Sequence, residues 1–103
     1  MQVVQDHIDR AISIARAHGA TRVILFGSAL ESPESARDID LAVEGVKGWD
    51  FFGLAAELES ELPIGVDVIP IDQVHENHFT RSIRRRGRVI FEREQGDEPF
   101  AGG

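Results

Sequence analysis

Gly27-Ser28, then nine residues, then Asp38-Ile39-Asp40 is the part of this chain best suited to chemistry. Gly27 permits a tight turn with close backbone approach to a ligand. Ser28 offers a hydroxyl and an N–H to a terminal phosphate, and backbone donors at the start of a following helix are a ready anion site. By itself the dipeptide is also an ordinary loop entry, so its weight comes from the acids downstream. Two acids at i and i+2 of a strand point the same way, about 6–7 Å apart along the chain. Left alone they repel and raise one pKa. Hard divalent cations with oxygen ligands remove that conflict, and Mg²⁺ fits best because it prefers carboxylates plus substrate phosphates to a closed protein cage. Two such ions, about 3.5–4 Å apart, can clamp the attacking and leaving oxygens of a phosphoryl transfer.

A third carboxylate, Asp67, stands between Val66 and Val68 in a later apolar run. Buried and unpaired it would be costly, and a metal ion or a donor network would relieve the cost. If its strand lies beside the first with Asp67 on the carboxylate face, the three acids converge. Asp67 could then ligate a metal and accept the proton of an attacking hydroxyl. The bland alternative is a surface acidic pair at a strand end. Three acids and a phosphate turn imply chemistry on a nucleotide.

The elements that must position these groups are legible as periodicity. Residues 2–18 carry Val4, Ile8, Ala11, Ile12 and Ala15 on one helical stripe. Arg22–Phe26 reads as a strand buried on both faces. Residues 29–36 read as a loop or a single helical turn. Asp38–Val43 is a second strand, with Asp38, Asp40 and Ala42 on one face and Ile39, Leu41 and Val43 on the other. Asp50–Leu62 reads as a helix capped by Asp50, with Phe51, Leu54, Ala55 and Leu58 buried. Val66–Ile71 is a third strand whose Pro70 marks its exit from the sheet. Residues 73–86 read as a helix and Val89–Phe91 as a short last strand. The expected class is α/β (α+β), a small mixed sheet flanked by helices.

The 103 residues amount to one domain, placed at residues 1–92, with a polar, acidic, Gly-rich tail over 93–103 that reads as disordered. A separate acceptor-binding domain does not fit in this length, so an acceptor is expected on another chain. Absence of cysteine excludes disulfides and thiolate metal sites. No apolar run approaches the roughly 18 residues needed to span a bilayer, and a cytoplasmic location is expected. The net charge of −7 is uneven. Residues 1–80 hold fourteen acids and five bases, whereas residues 81–93 hold six arginines and one acid. The acidic body argues against direct nucleic-acid binding.

Taken together, the chain resembles the minimal nucleotidyltransferases of the DNA polymerase β superfamily, in particular the MNT-type antitoxins paired with HEPN-domain toxins. The marks are Gly27-Ser28, the loop, Asp38-Ile39-Asp40 and Asp67, with Arg86–Glu92 similar to the usual C-terminal end. The resemblance implies a polymerase β-like nucleotidyltransferase fold. It implies that Gly27 and Ser28 contact a nucleoside triphosphate, that Asp38 and Asp40 hold two Mg²⁺ ions, and that Asp67 completes the site. It implies AMP transfer from ATP to a tyrosine hydroxyl on a HEPN-type RNase toxin, with neutralisation by binding alone as the alternative. Many relatives carry a basic residue shortly after Gly-Ser; here Ala29-Leu30-Glu31 follows, and Arg37 is the candidate replacement. The chain has no tyrosine, so a tyrosyl acceptor must lie on another protein.

Three further features stay open. Arg81, Arg84, Arg85 and Arg88, with Arg86 between, could be a face paired with the protein's own acids, a docking face for an acidic partner, or a phosphate or RNA contact. His75 and His78 have helical metal spacing but no third ligand nearby, and His7 and His18 read as surface or helix-end residues. Trp49 reads as core or partner contact.

Overall fold

In the computed structural model, which describes residues 2–93, four strands form one mixed sheet in the order β3-β2-β1-β4. The elements are α1 (Gln5–Ala17), β1 (Arg22–Phe26), α2 (Ser28–Glu31), β2 (Asp38–Glu44), α3 (Trp49–Glu61), β3 (Gly65–Pro70), α4 (His78–Arg86) and β4 (Arg88–Glu92). The expectation of disorder in the tail falls on residues that, apart from Arg93, lie outside the described ones. The Arg93 N–H is bonded to the Thr21 carbonyl at 2.8 Å.

Strand alternation divides the sheet into two unlike faces. Val23, Leu25, Ile39, Leu41 and Val43 point to one face, where they pack against Ala11, Ile14 and Ala15 of α1 and Leu54 and Leu58 of α3. This is the main core. Ile24 and Ala42 point to the other face, where Ile71 and Ile83 join them in a smaller cluster. Asp38 and Asp40 share the parity of Ala42, so they lie on this second face.

β1 pairs with β2 and β4 antiparallel, whereas β2 pairs with β3 parallel. Parallel neighbours need a crossover, and α3 supplies it on the main-core face. The register of β1 with β4 shifts between Val23 and Ile24. Such a bulge breaks simple alternation, and consecutive Ile90 and Phe91 both pack on the main core.

The last helix is shorter than its apolar pattern suggests: it starts at His78, not residue 73. Asn77 ends the preceding turn because its side chain accepts the Thr80 N–H at 2.9 Å while the Thr80 hydroxyl accepts the Asn77 N–H at 2.8 Å, a reciprocal cap. Asp50 likewise sits inside the first turn of α3, whose N-cap is Gly48. Trp49 is 87% exposed and is no part of the core.

α4 is held by three contacts. Ile83 enters the smaller cluster, Phe79 meets Phe26 edge-on with centroids 5.9 Å apart, and Arg84 bonds Glu44 of β2 at 2.7 Å. The chain leaves α4 through Gly87, where any Cβ would stand 2.5 Å from both the Ile24 side chain and the Ile83 carbonyl oxygen. Gly87→Ala is expected to lower unfolding stability by about 1–3 kcal/mol through this overpacking. Urea denaturation followed by circular dichroism measures it.

Candidate active site

The parallel register sets Asp40 directly beside Asp67, and Asp38 beside Gly65. Paired residues on neighbouring strands share a face, and strands lie about 4.8 Å apart. Asp67 is therefore on the carboxylate face, as the convergence of three acids requires. Asp40 is half-buried, while Asp38 and Asp67 are exposed. Among the described residues, no three His, Cys, Asp or Glu side chains are gathered into a ready ligand set.

The Gly-Ser turn closes on the same acids. Gly27 has φ +73°, in the region where a side chain is strained. Its Cα also lies against the Asp40 carboxylate, so that a Cβ there would collide with Oδ2. Glycine is thus required twice over, for conformation and for contact. Ser28 opens α2, a helix of only four residues. The N–H groups of Leu30 and Glu31 are both spent on the Gly27 carbonyl, at 3.1 and 3.0 Å, which weakens the expected anion site at this helix start.

The pKa of Asp40 is raised above the ordinary carboxylate value of 3.8, first by burial and then by repulsion from Asp67 and Asp38. The site therefore holds concentrated negative charge of hard oxygen donors. That donor set fits a divalent cation such as Mg²⁺, which takes one or two carboxylates plus substrate phosphates.

A cleft of about 100 Å³ opens beside the acids, lined by Phe26, Gly27 and Glu31 on one side and by Phe79, Ser82 and Arg86 on the other. The sequence left a phosphate contact by the arginine segment as one of three readings and did not single out Arg86, nor Phe79 and Ser82 beside it. Their signal was present, since residues 79, 82, 83 and 86 recur at helical spacing on one face. Arg37, the expected replacement for a basic residue after Gly-Ser, lies instead with Gln2, Glu34 and Ser35 in a separate depression. A larger cavity, about 400 Å³, lies between α1 and β4 around Arg16, Phe91 and Arg93. The three acids line neither cavity; the smaller cleft is the candidate because its Gly27 lies against the Asp40 carboxylate. His75 and His78 are exposed and gather no third ligand among the described residues. No described helix is long and apolar enough to cross a membrane.

The sequence family described as Polymerase beta, Nucleotidyltransferase matches residues 10–96. Among solved structures, the fold is similar to a crystal structure of the toxin-antitoxin MntA-HepT, with TM-score 0.67 and 23% identity, covering 96% of this chain and 81% of that one. A complex from Shewanella oneidensis, a tri-AMPylated HEPN toxin with its MNT antitoxin, gives TM-score 0.66 at 22% identity, covering 90% of this chain and 76% of that one. A toxin-antitoxin structure with AMP-PNP gives TM-score 0.68 at 24% identity, covering 97% and 82%. No curated protein matches the chain.

The raised pKa makes a signed statement about stability. Between 3.8 and the raised value, folded Asp40 holds more proton than unfolded Asp40. Unfolding stability must therefore fall as pH rises across that interval. In chelator, Asp40→Asn is expected to remove this part of the slope and to be more stable than the parent above the interval. The effect is small because Asp40 is only partly buried and solvent screens the rest. Urea denaturation at a series of pH values, with EDTA present, reads it out; unchanged slopes would contradict the assignment.

Proposed function

The chain belongs to the polymerase β nucleotidyltransferase family, and on that basis we propose that it is the antitoxin half of a toxin–antitoxin pair. In this reading it transfers AMP from ATP to a hydroxyl, a tyrosine hydroxyl, of a HEPN-type RNase toxin. The observation that carries the reading is the pairing of Asp40 with Asp67 beside Gly27. It is supported by the fold likeness to toxin–antitoxin structures, one holding an AMPylated toxin and one AMP-PNP. The 103 residues contain no tyrosine, so the acceptor hydroxyl is assigned to the partner.

In the proposed reaction, the acceptor oxygen bonds to the α-phosphorus of ATP as the bond to the β-phosphate bridging oxygen breaks. Pyrophosphate leaves, and Asp67 takes the hydroxyl proton. Asp38, Asp40 and Asp67 are assigned to hold two Mg²⁺ ions, and Gly27 and Ser28 to contact the triphosphate. When bound, the ions neutralise charge on the attacking and leaving oxygens. Gly27 lets the phosphate chain approach the acids because it has no side chain to interpose. Asp38 and Asp67 are exposed, so a partner side chain has access to them from solvent.

A second reading, neutralisation by binding alone, is favoured by one feature. Glu31 is exposed at the end of the phosphate turn, where a negative charge opposes a polyphosphate.

Incubation with radiolabelled ATP, Mg²⁺ and the HEPN partner separates the two. Label is expected on the partner, and Asp40→Asn or Asp67→Asn is expected to reduce the rate by about 100-fold or more. No label with all three acids intact would overturn the catalytic reading. Full neutralisation by the triple Asp→Asn variant would establish binding alone.

A further inference from the structure

We propose that Arg86, at the C-terminal end of α4, is the cation that meets the phosphate groups of the nucleotide. It supplies from across the cleft the positive charge that the turn after Ser28 lacks. This inference rests on the nucleotidyltransferase reading above.

Position is the first argument. Arg86 and Gly27 line the same cleft, and Gly27 is also the residue pressed against the Asp40 carboxylate. A group held between Arg86 and the turn is therefore adjacent to the acids on the same sheet face. Ser82, one helical turn before Arg86, lines the cleft as well and adds a hydroxyl donor.

Size is the second. About 100 Å³ is well below the roughly 300–1,000 Å³ of pockets that enclose a drug-sized ligand. The cleft can take one or two phosphate groups, with the rest of the nucleotide lying along the open acid face.

Among the described arginines, Arg86 alone lines this cleft. Arg84 is engaged by Glu44 at 2.7 Å, Arg22 by Glu92 at 2.6 Å and Arg81 by Glu76 at 3.7 Å. Arg37 sits in another depression. Arg86 forms no ion pair among the described residues, although Glu31 lines the same cleft. A guanidinium presents a planar fork that matches phosphate oxygens in pairs. Glu31 weakens the attraction for the same anion by like-charge repulsion, so the two residues set the affinity in opposite directions.

Equilibrium titration of the full chain with ATP and Mg²⁺, and separately with adenosine by ligand-observed NMR, tests this. Arg86→Ala is expected to weaken ATP binding about 10-fold or more while leaving adenosine binding unchanged. Arg86→Lys should recover part of the loss, because charge returns without the fork. Glu31→Gln, an exposed change that leaves the core untouched, should tighten ATP binding several-fold. Parental ATP affinity in Arg86→Ala would overturn the proposal, as would an unaltered affinity in Glu31→Gln. Equal losses for ATP and adenosine would overturn it too, by assigning the cleft to the base, which its Phe26 and Phe79 lining could hold. Failure of the parent protein to bind ATP at all would instead remove the nucleotidyltransferase reading on which the proposal rests.

Discussion

Two carboxylates side by side on neighbouring parallel strands are the constraint that the rest of this structure accommodates. Asp40 faces Asp67 across one strand spacing, with Asp38 two residues back. Like charges at that distance repel, and the pKa of Asp40 is raised first by its burial and then by this repulsion. A fold tolerates such a cluster only where solvent or a cation can reach it. Accordingly Asp38 and Asp67 stay exposed, while α4 is pinned to the sheet by Phe79, Ile83 and Arg84.

The cost is met by the opposite face of the same sheet. Ile39, Leu41 and Val43 are fully buried there, interleaved with the acids along one strand. Each residue step along β2 alternates between holding the fold and holding the site. A shift of one residue in register would exchange the two sets and abolish both. Stability and chemistry are thus tied to one register, which the apolar side enforces because its burial is worth far more than the repulsion on the other side.

The arginine-rich stretch shows how tertiary structure sorts residues that look alike in sequence. Arg84 is a structural tie to Glu44, Arg81 pairs locally with Glu76, Arg88 begins a strand, and Arg86 lines the cleft. Helical spacing grouped them, but their fates depend on where acidic and apolar neighbours arrive from distant segments. The same limit explains Arg37, adjacent to Asp38 in sequence yet turned to a separate depression, and Trp49, apolar yet exposed.

Local pattern determined a great deal. Strand alternation in Asp38–Val43 put both acids on one face, the apolar runs located the strands, and helical stripes located α1 and α3. The order of Gly27-Ser28, Asp38, Asp40 and Asp67 along the chain marked the candidate site, because period and residue type are short-range properties. Boundaries set by side-chain caps were less legible, as Asn77 and Gly48 show. Tertiary structure alone decided that β3 runs parallel to β2 with Asp67 level with Asp40. It also decided that Gly27 touches Asp40, and that α4 brings Arg86 and Ser82 to the turn. Those juxtapositions join residues separated by tens of positions, and they follow from which apolar faces bury one another, a balance summed over the whole chain and present in no single segment of it.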